Sequence, residues 1–103
     1  MSTDSAAAHE GPLFDELIHA PLRLRLCALL DGVTSAEFAT LREVLGVADS
    51  VVSKHLKALQ DAGYVELVKP TGQGRVRTWA ALTPAGRTAY ARHVAALKEL
   101  IEG

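Results

Sequence analysis

The chain lacks most of the features that mark secreted, membrane or enzymatic proteins. It has one cysteine, Cys27, in 103 residues. A lone thiol cannot close a disulfide within the chain, which fits a reducing compartment and an expectation of cytoplasmic location. No stretch approaches the roughly 18 apolar residues that cross a bilayer, and Arg23 and Arg25 interrupt the best candidate. The opening MSTDSAAAHE has no basic region followed by an apolar one, so no secretion signal is expected. There is no G-x-S-x-G and no phosphate-cradling glycine loop, and acid pairs such as Asp15 and Glu16 read as solvated. No enzyme and no cofactor are therefore expected. His9, His19, His55 and His93 are scattered along the chain, without the spacing of a metal site.

A strong net charge is missing too, but the value of −1 conceals a division. Residues 1–48 carry three Lys/Arg against seven Asp/Glu, whereas residues 49–88 carry six against three. Positive charge thus gathers in the second half, a modest version of the footprint of a nucleic-acid binder.

What is present centres on Thr40 to Tyr64, TLREVLGVADSVVSKHLKALQDAGY. It reads as a short helix, a tight turn and a longer helix. Thr40 and Glu43 have capping-box spacing, Gly46 ends the first helix, Asp49 stands as N-cap of the second, and Gly63 stops it. On the second helix Val52, Leu56, Leu59 and Gly63 share one stripe, with His55 at its margin. The opposite face carries Ser50, Ser53, Lys54, Lys57 and Asp61. Small hydroxyls permit close approach to a surface and lysines neutralise phosphate, the composition of a recognition helix in a DNA major groove. Alone, such a face would read as ordinary solvated lysines.

Its surroundings favour the first reading. Residues 1–11 read as a flexible tail. Residues 12–19 form a short helix with an apolar side of Leu13, Phe14, Leu17 and Ile18. A second helix runs from Pro21 to Asp31, and its apolarity on several sides predicts burial from more than one direction. A connection follows, with a short strand centred on Phe38. From Val65 to Leu82 the period becomes two, so two strands joined by PTGQG predict a hairpin with Lys69, Arg75 and Arg77 near its tip. A helix pair followed by a basic hairpin is a winged helix in outline. Thr83-Pro84 opens a last helix, 84–102, with Tyr90, Val94, Leu97 and Ile101 in one stripe. It outruns so small a domain, which predicts that it and the first helix meet their counterparts in a second copy. A helix folded back on its own monomer is the alternative.

HAPLRLRLCALL resembles the helix that opens the DNA-binding unit of ArsR-type repressors, and SKHLKALQDAGYVEL is similar to a signature shared by ArsR-type and MarR-type regulators. RTWAALTPAGRTAY resembles the wing strand and following helix of MarR-type proteins. The resemblance spans about residues 15–90. It implies an α+β winged helix–turn–helix with a two- to three-stranded antiparallel wing, in a single domain over 12–103 with the helix–turn–helix at 40–63 and the wing at 65–82. It implies a homodimeric transcriptional regulator, by default a repressor, on a pseudo-palindromic double-stranded operator. Ser50, Ser53, Lys54 and Lys57 would face the groove, Arg75 and Arg77 the phosphates or minor groove, and Thr40 would set helix-start amides near the backbone. The chain departs from the ArsR metal sensors in lacking paired cysteines and clustered ligands. It departs from full MarR chains in length, which puts a preformed effector pocket in question. A small apolar effector between the terminal helices is one alternative; a winged helix used only for protein contact is another. His55 is read as hydrogen-bonded packing before DNA contact, Cys27 as core before redox switch, and Trp79 as packing before stacking on a ligand.

Overall fold

The computed structural model describes residues 11–69 and 77–103. Within them the elements run α1 (Glu16–His19), α2 (Pro21–Asp31), β1 (Ala36–Glu37), α3 (Phe38–Leu45), α4 (Asp49–Asp61), β2 (Val65–Val68), β3 (Trp79–Leu82) and α5 (Pro84–Glu102). The three strands form one antiparallel sheet in the order β1-β3-β2. This is the expected α+β winged-helix architecture.

α2 is the hub. It packs against α1, α3, α4, α5 and β3, and Leu26, Cys27 and Leu30 are completely buried in the middle of the core. That satisfies the all-round apolarity of its sequence, since each face meets a different neighbour. Leu41 and Leu45 of α3, Val52, Leu56 and Leu59 of α4, and Val65, Ala80 and Leu82 of the sheet close the core around it. Burying such side chains stabilises by about 1.5–3 kcal/mol each for the larger ones. In β2 and β3 the period-two pattern is kept, with Val65, Ala80 and Leu82 inward, and Val68 stands opposite Trp79.

Several local expectations shift. The first helix does not begin at Pro12. Asp15 caps it by accepting from the Ile18 amide at 3.1 Å, and residues 11–14 lie along α5 instead. There the Leu13 amide donates to the Arg92 carbonyl at 3.1 Å, and Arg92 Nε donates to the Gly11 carbonyl at 2.8 Å. Gly11 is therefore held, not part of a free tail; residues 1–10 lie outside the described residues.

The capping box of Thr40 and Glu43 is not formed. α3 starts at Phe38, and Thr40 is its third residue. The cause is tertiary: the Phe38 amide donates to the Thr78 carbonyl at 2.8 Å, so pairing with the β3 side delivers the chain into the helix three residues early, with Glu37 at the cap position. The short strand accordingly occupies Ala36–Glu37 and ends before Phe38. Asp49 is the first residue of α4 rather than its cap, with Ala48 at the cap position. Its carboxylate instead meets Arg42 Nη1 at 3.0 Å across the turn. Gly46 and Gly63 do end their helices, at φ +68° and +81°, where a side chain is disfavoured.

α5 opens as expected. Thr83 Oγ1 accepts from the Gly86 amide at 3.0 Å and donates to the Gly63 carbonyl at 2.6 Å. One cap thus joins the end of the α4 turn to the start of α5. The face that α5 turns to its own core is Gly86, Ala89, Tyr90 and His93, leaving Leu100 and Ile101 71% and 83% exposed at its far end.

Candidate nucleic-acid interface

α4 divides its faces as its sequence requires. Val52, Leu56 and Leu59 are at most 2% exposed, while Ser50, Ser53, Lys54, Lys57 and Asp61 are all exposed. The buried stripe fixes the rotation of the helix about its axis, so the polar face points outward by construction. Lys57 Nζ lies 3.1 Å from Asp61 Oδ1 with both side chains well exposed. Such an i,i+4 pair is worth only about 0.3–0.5 kcal/mol, too little to withhold the ammonium from a phosphate.

The wing base adjoins this face. Ser53, Lys57 and Gln60 of α4, with Leu67, Lys69 and Thr78 of the hairpin, line a groove of about 290 Å³. Lys69 is exposed at its rim. Arg77 is exposed too, with Nε 3.6 Å from Glu37 Oε2 on β1. Arg75, with Pro70, Gly72 and Gly74 of the hairpin tip, lies outside the described residues. Thr40 is exposed on the first turn of α3 but is not the cap that was to carry an anion. The two elements flanking the turn are tied by Arg42 and Asp49, a pair that periodicity offers no means of finding.

His55 is half-buried, and its Nδ1 is 3.1 Å from Arg23 Nη1. Arg23 Nε in turn donates to the Leu17 carbonyl at 2.6 Å. Burial first, then the charges of Arg23 and Lys54, hold the His55 pKa below its ordinary value. This is the hydrogen-bonded packing role expected of it, and through Arg23 of α2 it links α4 to Leu17 of α1. Cys27 is completely buried, and burial pushes its thiol up to about 12, which keeps it an unreactive core residue. Trp79 is half-buried in β3, opposite Glu37 on one side and Val68 on the other.

The residues expected at a two-fold seam divide. Leu13 and Phe14 are 54% and 39% exposed, and Ile101 is largely exposed. Leu17, Val94 and Leu97 are half-buried. Tyr90 packs on its own core, and burial raises its pKa. Ile18 is completely buried within its own chain, which corrects its assignment: it serves the core and has no surface to offer a second copy. Periodicity picked out Tyr90, Val94, Leu97 and Ile101, but the stripe that meets the body is rotated toward His93.

His93 is the residue that sequence reasoning passed over, and the histidines are not all scattered. His93 is completely buried, its Nε2 3.3 Å from His19 Nδ1. Its Nδ1 accepts from the Asp15 amide at 2.9 Å, and the Phe14 ring packs on both imidazoles. Asp15 Oδ2 accepts from the Tyr64 hydroxyl at 2.6 Å; that bond first, then burial, pushes Tyr64 up to about 12. Among the described residues no group of three or more His, Cys, Asp or Glu is placed to hold a metal ion. Beside this cluster, Leu13, Tyr64, Ala85, Thr88, Ala89 and Arg92 line a mostly apolar cavity of about 440 Å³. No helix among the described residues is long and apolar enough to cross a membrane.

Known proteins place this arrangement. An uncharacterised protein of Methanocaldococcus jannaschii, MJ0432, is 33% identical over 85 residues, covering 82% of this chain and 92% of that one. The structure of a transcriptional regulator homologue from Pyrococcus horikoshii superposes with a TM-score of 0.82 at 26% identity, over 86% of this chain and 88% of that one. NadR in complex with 4-hydroxyphenylacetate shares the fold, with a TM-score of 0.70 at 22% identity over 84% of this chain and 61% of that chain. The winged helix DNA-binding domain family matches residues 22–101. With an outward cationic helix beside a two-stranded wing and a family match over most of its length, the chain belongs to the winged helix DNA-binding domain family of transcriptional regulators and is not an enzyme.

Proposed function

We propose that the protein acts in the cytoplasm as a homodimeric repressor that reads a pseudo-palindromic operator, with α4 of each copy in a major groove. The observation that carries this is the exposed Ser50, Ser53, Lys54 and Lys57 face, held outward by the buried Val52, Leu56 and Leu59 and continuous with Lys69 across the groove. Serines bring the helix backbone close to base edges; Lys54, Lys57, Lys69, Arg75 and Arg77 supply phosphate contacts, which carry affinity but little sequence information. The second copy contributes a second helix about one helical turn, roughly 34 Å, away. The exposed Leu13, Phe14, Leu100 and Ile101 are the apolar surface left for that second copy.

Selection of bound duplexes from a genomic pool tests this, and a two-fold symmetric motif is the expected product. Replacing Lys54 and Lys57 with alanine should then flatten the dependence of log affinity on log salt by about 2 for each protomer. An unchanged slope would remove these lysines from the interface. Failure to hold any duplex at low salt would instead favour a winged helix used for protein contact.

The apolar cavity beside Leu13 and Ala89 supports an added reading, an effector-responsive switch. NadR, of the same fold, is described with 4-hydroxyphenylacetate bound. A small, largely apolar molecule seated between residues 11–14 and α5 would alter the spacing of the two recognition helices. A thermal-shift screen checks it: compounds that stabilise the protein should also release DNA.

A further inference from the structure

The cluster midway along α5, around His93, has a direction built into it. The Asp15 amide can only donate, so His93 Nδ1, 2.9 Å away, must offer its lone pair. The neutral ring then carries its hydrogen on Nε2, which donates to His19 Nδ1 at 3.3 Å. A backbone amide therefore dictates the tautomer of two imidazoles in series. Protonating His93 would set an N–H against the Asp15 N–H, and turning the ring over would present a C–H instead. Neither arrangement keeps the bond.

A metal is the competing use of paired imidazoles. Two nitrogens on a tetrahedral zinc at about 2.0–2.1 Å would be about this far apart. Coordination by His93 Nε2, however, would move the ring hydrogen to Nδ1, against the same amide. The nearby Asp15 carboxylate is taken up by the Ile18 amide and the Tyr64 hydroxyl, and among the described residues no group of three is placed to hold a metal ion. The site suits a proton.

We propose that His93 is a proton-operated latch: neutral, it holds residues 11–19 on α5, and on acidification it lets them go. Asp15 makes release consequential. Its amide binds His93, its Oδ1 caps α1, and its Oδ2 holds the Tyr64 hydroxyl. Tyr64 follows the glycine that ends α4, and its carbonyl accepts from the Thr83 amide at 3.0 Å. Loss of the His93 bond thus loosens α1 and the anchor behind the recognition helix together. The groups facing His93 are Asp15 and His19 from the α1 segment, with Tyr64 reached through Asp15. Cys27 of α2, which senses Asp15, stays neutral. On α5 itself, Arg92 is turned to the Gly11 carbonyl. Burial is the largest cause lowering the His93 pKa, His19 adds to it, and the Asp15 carboxylate opposes them. The folded protein therefore binds the proton less readily than the unfolded chain. The latch contributes fully above the ordinary value of 6.5 and is lost as pH falls below it through the lowered folded value.

The test is an NMR titration of the full chain from pH 8 to 5, free of DNA. At pH 8, long-range proton–nitrogen spectra should show His93 protonated on Nε2 alone. The Asp15 amide resonance should move with the His93 midpoint, below 6.5. Its exchange protection, corrected for intrinsic rates, should fall about tenfold per pH unit within that window. His93→Asn, whose Oδ1 stands in for Nδ1 but does not titrate, should abolish the Asp15 transition; should that variant fail to fold, the wild-type titration decides alone. A hydrogen on Nδ1 at pH 8, an Asp15 amide indifferent to His93, or an unchanged transition in His93→Asn would overturn the latch. The consequence for DNA rests on the function proposed above. An operator affinity that weakens over the same window in wild type, and not in His93→Asn, extends the latch to regulation. An NMR result as expected, in a protein that holds no duplex, keeps the latch and removes the DNA reading.

Discussion

Gly86 is the third residue of α5, pressed against the backbone of Tyr64. A β-carbon at this position would lie 2.1 Å from the Tyr64 carbonyl oxygen, 2.9 Å from its carbonyl carbon and 3.0 Å from its Cα. Comfortable contact is about 3.5 Å or more, so α5 and Tyr64 must part by about 1 Å. All three obstructing atoms are backbone, and no side chain can swing aside. That same oxygen receives the Thr83 amide, while the Gly86 amide feeds the Thr83 cap. Overpacking of this kind costs about 1–3 kcal/mol, and losing the cap about 1 kcal/mol more. Alanine recovers at most about 1 kcal/mol through helix propensity. Gly86→Ala should therefore destabilise by about 2 kcal/mol, which lowers the melting temperature of a domain this size by about 10 °C. Gly32→Ala is the control, because its β-carbon would meet only the Leu29 carbonyl oxygen at an ordinary 3.8 Å; it should change stability by less than about 0.5 kcal/mol. Thermal denaturation monitored by circular dichroism, at matched protein concentration, reads both. A Gly86→Ala protein as stable as wild type would refute the steric reasoning, as would an equal loss in Gly32→Ala.

Arg87 donates to the Asp31 and Val33 carbonyls at 3.0 and 2.9 Å and lies 3.2 Å from the Asp31 carboxylate. Because the arginine is partly exposed, the ion pair adds little; the carbonyl bonds account for an expected loss of about 1 kcal/mol in Arg87→Ala. Arg87→Lys should not restore it in urea titrations, since an ammonium lacks the planar fork. Cys27, with its thiol held up at about 12 and no exposure, should resist iodoacetamide at pH 8 in the folded protein and react once unfolded; rapid labelling of the native state would contradict its core placement. On the proposed homodimer, Ile101→Glu, at a site 83% exposed in one chain, should leave the helix intact and lower the mass seen by light scattering from that of two chains to the 11.0 kDa of one; a wild-type protein that already scatters as one chain removes the dimer. An undiminished assembly would move the seam elsewhere.

What one helix needs, one stretch of sequence can state. Val52, Leu56 and Leu59 recur at helical spacing, so the exposure of Ser53, Lys54 and Lys57 opposite them followed without knowledge of any neighbour. The α2 span, the glycine stops at Gly46 and Gly63, and the Thr83 cap were legible for the same reason: each is satisfied by residues within a turn or so of itself. Other features were decided only when distant segments met. Phe38 rather than Thr40 opens α3, because its amide finds Thr78 on the far side of the hairpin. Asp15 caps α1 while binding His93, 78 positions away, and the face of α5 that is covered depends on where residues 11–19 come to rest. Periodicity finds a stripe but not which edge of it is met. A buried histidine is tolerated only where a remote amide and a remote imidazole satisfy both its nitrogens, and no local pattern announces that company.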